Sequence, residues 1–169
     1  MYKFVFATSE TDPYKIHQQV KGLFPENRYL YRLDGDTITA QGSTLPQNSV
    51  RGKISTLKTR YEAGAELCFR IRANPTNKID KGVVPLKTSF EASDWFHRMG
   101  NLAGYKPVTL SVIMEGIVFV TKDGVSWPIN SVSYEGLLRV TDAGKFEGAI
   151  MKGIGREKSF GFGMLDIYE

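Results

Sequence analysis

Cysteine is almost missing. The single Cys68 in 169 residues excludes a disulfide framework and a CxxC metal pair. It stands in the apolar run ELCFRIRA (66–73) and reads as a small buried hydrophobe. Histidine is nearly as scarce, with two residues, and no Asp/Glu/His cluster has the spacing of metal ligands. There is no GxxxxGK(S/T) phosphate loop and no GxSxG elbow. Metal-assisted hydrolysis and nucleotide hydrolysis are therefore disfavoured. No apolar run approaches the roughly 18 residues that a membrane span needs, and the opening YKFVFATSE lacks a signal-peptide pattern. The expectation is an intracellular, cytoplasmic protein with no membrane partner.

What is present is an ordinary globular composition, 41% apolar and 24% charged, with length for one large domain or two small ones. The formal charge is +4. Between Arg51 and Lys81 eight Lys/Arg stand against three acids, a local excess that suits a polyanion-facing surface. A solvated strand face would carry the same charges. The segment GIGREKSFGFG (153–163) is the most informative. Gly153, Gly155, Gly161 and Gly163 bracket Arg156 and Lys158, so the loop is able to press backbone N–H groups against a phosphate that the cations hold by charge. Glycine-rich loops also serve as plain turns.

Along the chain, Tyr2, Phe4 and Phe6 alternate with Lys3, Val5 and Ala7, the period of a strand. Asp12 or Ser9 before Pro13 predicts a helix from about Tyr14 to Leu23, ended by Pro25. Strands are expected over 28–33 and 37–42 around an Asp34-Gly35-Asp36 turn, then over 54–61 and 66–73. In the second half a strand at 83–87 precedes a Thr88-x-x-Glu91 capping box and a helix ending near Gly104. Strands follow at 108–114, 117–121 and 131–140, with a turn at Lys122-Asp123-Gly124. Thr141 or Asp142 caps a last helix reaching about Lys152, and the glycine loop leads to a strand FGMLDIY. Two successive β-α-β-β patterns predict an α+β fold of tandem ferredoxin-like (RRM-like) βαββαβ modules, 1–82 and 83–169, packed together, a layout whose sheets commonly bind RNA.

Tyr14 and His17 lie three apart on the first helix, hence on one face. Histidine exchanges a proton near neutral pH, and a tyrosine hydroxyl orients a neighbour. A histidine near a helix start is also often structural. His97, in DWFHRMG, has no partner in sequence and is assigned to a helix surface.

Three blocks then carry a resemblance: YKIHQQVKGLFP (14–25), FRIRANPTNK with the following GVVPL (69–86), and FEGAIMKGIGREKSFGFGMLDI (146–167), preceded by SYEGLLRVTD (133–142). Together they resemble the CasE family, the CRISPR-associated endoribonuclease of type I-E Cascade. Val83 departs from the family, which places Lys or Arg directly before its Val-Pro. The resemblance implies a metal-independent ribonuclease without cofactor. It would bind the stem-loop of CRISPR repeat RNA, cut precursor CRISPR RNA by 2′-OH attack and stay on the product beside other Cascade subunits, the backbone subunit among them. His17 would exchange the proton, most simply as general acid, with Tyr14 orienting the reacting groups. Lys158 and Arg156, with Lys152 and the amides around Gly153 and Gly155, would stabilise charge on the phosphate. Ser159 and Lys21 join the expected RNA contacts. Lys78 and Lys81 would lie on a hairpin engaging the stem, with Arg70 and Arg72 on the strand leading to it.

Two other classes remain compatible with the residues. One is a non-catalytic RNA stem-loop binding subunit of a CRISPR effector complex. The other is a ferredoxin-like ligand or interaction domain whose glycine loop is a turn.

Overall fold

The computed structural model describes residues 1–25, 28–47 and 50–168. Its first sheet is antiparallel and built from β1 (Tyr2–Ala7), β2 (Tyr29–Asp34), β3 (Thr37–Gly42) and β4 (Gly52–Thr56), in the order β2-β3-β1-β4. One helix, α1 (Pro13–Leu23), covers it. The Asp12 carboxylate caps α1 by accepting from the amides of Tyr14 and Lys15, and Pro13 occupies the first turn, where its missing N–H costs nothing. Ile16, Val20 and Leu23 recur at helical spacing and bury against Phe4, Phe6, Ile38 and Ala40.

The second sheet holds β5 (Glu66–Ala73), β8 (Tyr105–Lys122), β9 (Val125–Val140) and β10 (Asp166–Tyr168), in the order β10-β5-β9-β8. Helices α2 (Ser89–Ala103) and α3 (Ala143–Lys152) are capped by the Thr88–Glu91 box and by Asp142. On this sheet Phe69, Ile71, Tyr134 and Leu138 meet Trp95, Phe96, Phe146 and Ile150 of the helices. Phe96 stacks on Phe69 and Tyr134 at centroid distances of 5.2 and 4.8 Å. Each such side chain contributes about 1.5–3 kcal/mol by leaving water. No helix among the described residues is long and apolar enough to cross a membrane.

Both sheets have ferredoxin-like strand order. The second module has both helices, whereas residues 43–51 of the first, as far as they are described, hold no helix between β3 and β4. Several expectations need correction. Strand β5, placed before the expected division at 82, pairs with β9 and β10, so by hydrogen bonding the second module begins with β5. The run 54–61 is strand only to Thr56; Leu57 and Tyr61 then pack on the second core, because the chain is crossing between the sheets. The pieces 108–114 and 117–121 are one strand, since Gly116 at φ +103 absorbs a bulge without ending the pairing. Its partner β9 accordingly starts at Val125 rather than 131. The strand expected over 83–87 ends at Pro85 and belongs to a ribbon of β6 (Thr76–Ile79) and β7 (Gly82–Pro85), outside both sheets. Only Asp166–Tyr168 of FGMLDIY is strand. Cys68 is half-buried, because Phe69, Ile71 and Ala73 take the core face of β5 and leave Cys68 on the other side.

The modules are joined by polar groups. The Asp166 side chain is 2% exposed; it accepts from Lys3 Nζ at 2.7 Å and Arg70 Nε at 3.0 Å, and Arg32 Nη1 stands 3.5 Å away. Arg32 also hydrogen-bonds Asp34 through Nε at 2.8 Å, while its terminal nitrogens lie near Asp34 and Asp166 without hydrogen-bonding angles. Gln41 donates to the Ile150 carbonyl at 2.6 Å, and Arg72 donates to the Leu33 carbonyl. Burial pushes the Asp166 carboxyl up, but the Lys3 bond and charge, with Arg32 and Arg70, outweigh it and hold it below the ordinary carboxylate value. Stability from this group is present above the unfolded carboxylate pKa, about 3.9, and is lost as pH falls through the lower folded value. Asp166→Asn should cost about 2–3 kcal/mol at pH 7, below the usual range for a broken buried pair because Lys3 and Arg70 reach water. Chemical denaturation at pH 7 and in the acid range checks both points; the variant should lose part of the acid dependence.

Candidate active site

The outer face of α1 presents Tyr14, His17 and Lys21, spaced to line up along the helix. Over it fold the start of β2, the 3-10 turn Lys158–Phe160 and the far end of the β8–β9 ribbon. His17 is the centre. Its Nδ1 lies 3.1 Å from the Tyr29 hydroxyl, its ring donates to the Ser159 carbonyl, and Phe160 stands 5.5 Å away, centroid to centroid. Tyr14 is 6.2 Å from His17 by the same measure, with Lys122 Nζ 5.6 Å over its own ring. Trp127 meets Phe160 edge-on at 5.6 Å, and Val120, Ile129 and Phe162 complete the apolar support.

This setting lowers the His17 pKa. Burial dominates; the Ser159 carbonyl opposes it, and the charges of Lys21 and Lys122 lower it further. At neutral pH the ring is therefore mainly uncharged. Burial also raises the Tyr29 pKa, so its hydroxyl keeps its proton. Such a hydroxyl donates to a neutral ring nitrogen and accepts from a protonated one.

Beside this cluster lies a cleft of about 510 Å³ lined by Arg28, Tyr29, Leu30, Lys152, Lys158 and Ser159. Among the described residues that line it three are cations and none is acidic, which suits an anion of phosphate type. The Lys158 pKa is lowered by burial and then by the Arg28 charge, which makes its ammonium a readier proton donor than an exposed lysine.

The glycine loop works differently from a phosphate cradle. Gly163, at φ +81, passes so close to Ile154 that an added Cβ would meet its carbonyl at 2.3 Å. The Ile154 amide donates to the Gly163 carbonyl at 2.8 Å, and the Gly163 amide to the Arg72 carbonyl at 2.6 Å. The amides of Gly153, Phe160 and Gly161 also donate within the chain. The Gly153 and Gly163 amides tie the loop to α3 and β5 and the others close it on itself, while Lys158 and Lys152 line the cleft. Gly155 rests against the Trp95 ring.

Of the expected site residues, the fold brings His17, Lys152, Lys158 and Ser159 to one place, with Tyr14 packed at its side and Lys21 exposed one turn along α1. Arg156 lines a different cleft, on the other side of an αL turn at Glu157. Lys78 and Lys81 are exposed on the β6–β7 ribbon. Arg70 is paired with Asp166, and Arg72 with Glu115 at 2.8 Å, and neither lines the cleft. Burial raises the Glu115 carboxyl, but Ser131, Ser133 and Arg72 outweigh it and leave it below its ordinary value. His97 is exposed on α2. Sequence reasoning missed Arg28, Tyr29, Phe160, Lys122 and Trp127. The basic-aromatic pair Arg28-Tyr29 is a visible signal that the hairpin reading of 28–42 does not use.

Against known proteins, residues 4–168 match the family described as CRISPR associated protein. The Cascade subunit CasE of Escherichia coli K12 is 30% identical, over 92% of each chain. The crystal structure of Cas6e from the same strain superposes with a TM-score of 0.83 at 29% identity, covering 99% of this chain and 98% of that one. A structure of the endoribonuclease Cse3 bound to a 19-nucleotide RNA reaches a TM-score of 0.90 at 19% identity over the full length of both chains, a likeness of fold. The chain is a CRISPR-associated protein and belongs to the CasE family.

An NMR titration of His17 should give a midpoint below 6.5, and Lys122→Ala should move it upward by removing a neighbouring cation. A midpoint at or above 6.5 in the unmodified protein would mean that burial does not govern this ring.

Proposed function

We propose that this protein is a metal-independent endoribonuclease that binds the stem-loop of CRISPR repeat RNA, cleaves precursor CRISPR RNA, and remains on the product as a subunit of Cascade, next to its backbone subunit, in the cytoplasm. The observation that carries the reading is His17, held between the Tyr29 hydroxyl and the Ser159 carbonyl at the edge of a cleft with three cations. Family membership supports the same reading. The curated relative is a Cascade subunit, and the structural relative at 29% identity is a CRISPR-associated protein of like fold.

The RNA supplies its own nucleophile. The 2′-hydroxyl before the cut attacks the neighbouring phosphorus, the bond to the 5′-oxygen breaks, and a cyclic phosphate and a 5′-OH result. The protein has to move protons, hold the phosphate in line and offset growing charge. Because burial keeps His17 uncharged near neutrality, it acts as the base, in place of the acid role that is simplest from sequence: the 2′-hydroxyl gives its proton to the Tyr29 oxygen as the Tyr29 hydroxyl gives its own to Nδ1. Tyr29 then accepts from the protonated ring, and Tyr14 orients the reacting groups. Lys158, Lys152 and Arg28 stabilise the charged transition state, and Lys158 returns a proton to the 5′-oxygen.

His17→Ala should lower the single-turnover rate about 100- to 10,000-fold with stem-loop affinity nearly unchanged. Cleavage of repeat RNA in excess EDTA, giving a 5′-OH, tests the chemistry; a substrate with 2′-deoxy before the cut should bind and stay whole. Cutting of that substrate would sink the mechanism.

The pH profile of the saturated rate separates the proton roles. With His17 as base the rate rises with pH through the ring's pKa, and that limb vanishes in the alanine variant. A rate that falls with pH over this range would make His17 the acid.

A further inference from the structure

A second cleft, of about 520 Å³, opens between the β6–β7 ribbon and the far half of the β8–β9 ribbon, with Arg156 at its rim. We propose that it receives a single unpaired RNA base from the strand flanking the stem, stacked on Phe119. The proposal rests on the reading of the protein as a binder of repeat RNA and adds where that RNA is read outside its paired stem.

The register of the two ribbons builds the cleft. Residues paired directly across antiparallel strands project to the same face. Thr76 pairs with Pro85, and on the facing ribbon Phe119 pairs with Pro128 and Ile117 with Asn130; all six line the cleft. One face of each ribbon thus forms one wall. Phe119 is 63% exposed there, a large aromatic left to water.

The floor is polar in a specific way. Asn74 lines the cleft at 7% exposure, and its Oδ1 has no hydrogen-bond partner among the described residues. A buried carbonyl oxygen without a donor calls for one, and the amino and imino groups on base edges are such donors. Asn130, also buried, already donates its amide to the Leu86 carbonyl at 2.9 Å and so holds the floor in place.

Charge at the cleft favours nucleic acid over an apolar protein segment. Arg156 stands at the rim with Glu157 beside it, and Lys78, paired with the cleft-lining Val83, projects to the same side of its ribbon. These cations suit the phosphates on either side of an inserted base, while Glu157 offers a further acceptor to the base edge. The space admits a flat ring and not a paired stem, and RNA is read by sequence chiefly through such splayed bases on aromatic side chains. The glycine loop separates this cleft from the catalytic one. Lys158 lines the first and Arg156 the second, two residues apart. A strand leaving the cut therefore has only this loop to cross.

The test compares stem-loop RNA made uncleavable by 2′-deoxy at the cut, either bare or extended by unpaired nucleotides on its 5′ or 3′ side. One flank should tighten binding by roughly 5- to 150-fold, the scale of one stacked base. Phe119→Ala should remove that gain while leaving bare stem-loop affinity intact, and Phe119→Trp should restore it. 2-Aminopurine in the favoured flank should be quenched by the unmodified protein and not by Phe119→Ala. The proposal is overturned if neither flank adds affinity, which would mark the cleft as a face for another protein, or if the gain survives Phe119→Ala. Failure to bind even the bare stem-loop would overturn the RNA reading itself, together with this one.

Discussion

Asp166 is the point through which the two halves hold each other. It lies on the short β10 at one edge of the second sheet, yet two of its three cations, Lys3 and Arg32, come from the first. A carboxylate so buried is costly unless it is paired, and the pairing is possible only when both sheets are folded and adjacent. The Gln41 bond to the end of α3 and the Arg72 bond to the Leu33 carbonyl repeat the arrangement at lower charge. The interface is therefore directional. Apolar packing alone would tolerate sliding, whereas these bonds permit little, and the groups of the candidate site lie across the same junction.

That junction explains the glycine loop. The loop belongs to the second module, but Tyr31 of the first donates to its Ser159 carbonyl at 3.1 Å, and the His17 ring donates to the same oxygen. The Gly163 amide anchors its return to Arg72. Glycine is needed there because the backbone passes too near Ile154 for any side chain. With both ends tied, the αL turn at Glu157 sends Arg156 and Lys158 to different clefts, one walled by ribbons and one edged by His17.

Burial is the main electrostatic device of the candidate cleft beside His17. It lowers the pKa of both His17 and Lys158, and neighbouring cations act in the same direction. A polyanion entering the cleft would reverse the second effect, because its phosphates offset the charges of Arg28, Lys21 and Lys122. The free site is thus set toward neutral histidine, and the substrate itself raises the affinity of both groups for protons.

The chain by itself determined the elements with short-range causes. Asp12 and Pro13 start α1, Thr88 and Glu91 start α2, and Asp142 starts α3, each through bonds to amides a few residues away. The Tyr14–His17 pair was legible for the same reason, since helical spacing places both on one face. Lys158 and Lys152 were legible as cations flanking glycines. Tertiary structure decided the rest. Whether β5 joins the first or second sheet depends on a partner, β9, more than fifty residues downstream, and nothing in ELCFRIRA encodes that choice. The contacts of Tyr29 with His17 and of Lys3 with Asp166 span 12 and 163 residues. Arg70 and Arg72 look like unpaired cations in the chain, yet the fold pairs them with Asp166 and Glu115, Arg70 while still reaching water. A cation's role depends on the nearest carboxylate, and only the packing of the two sheets sets that distance.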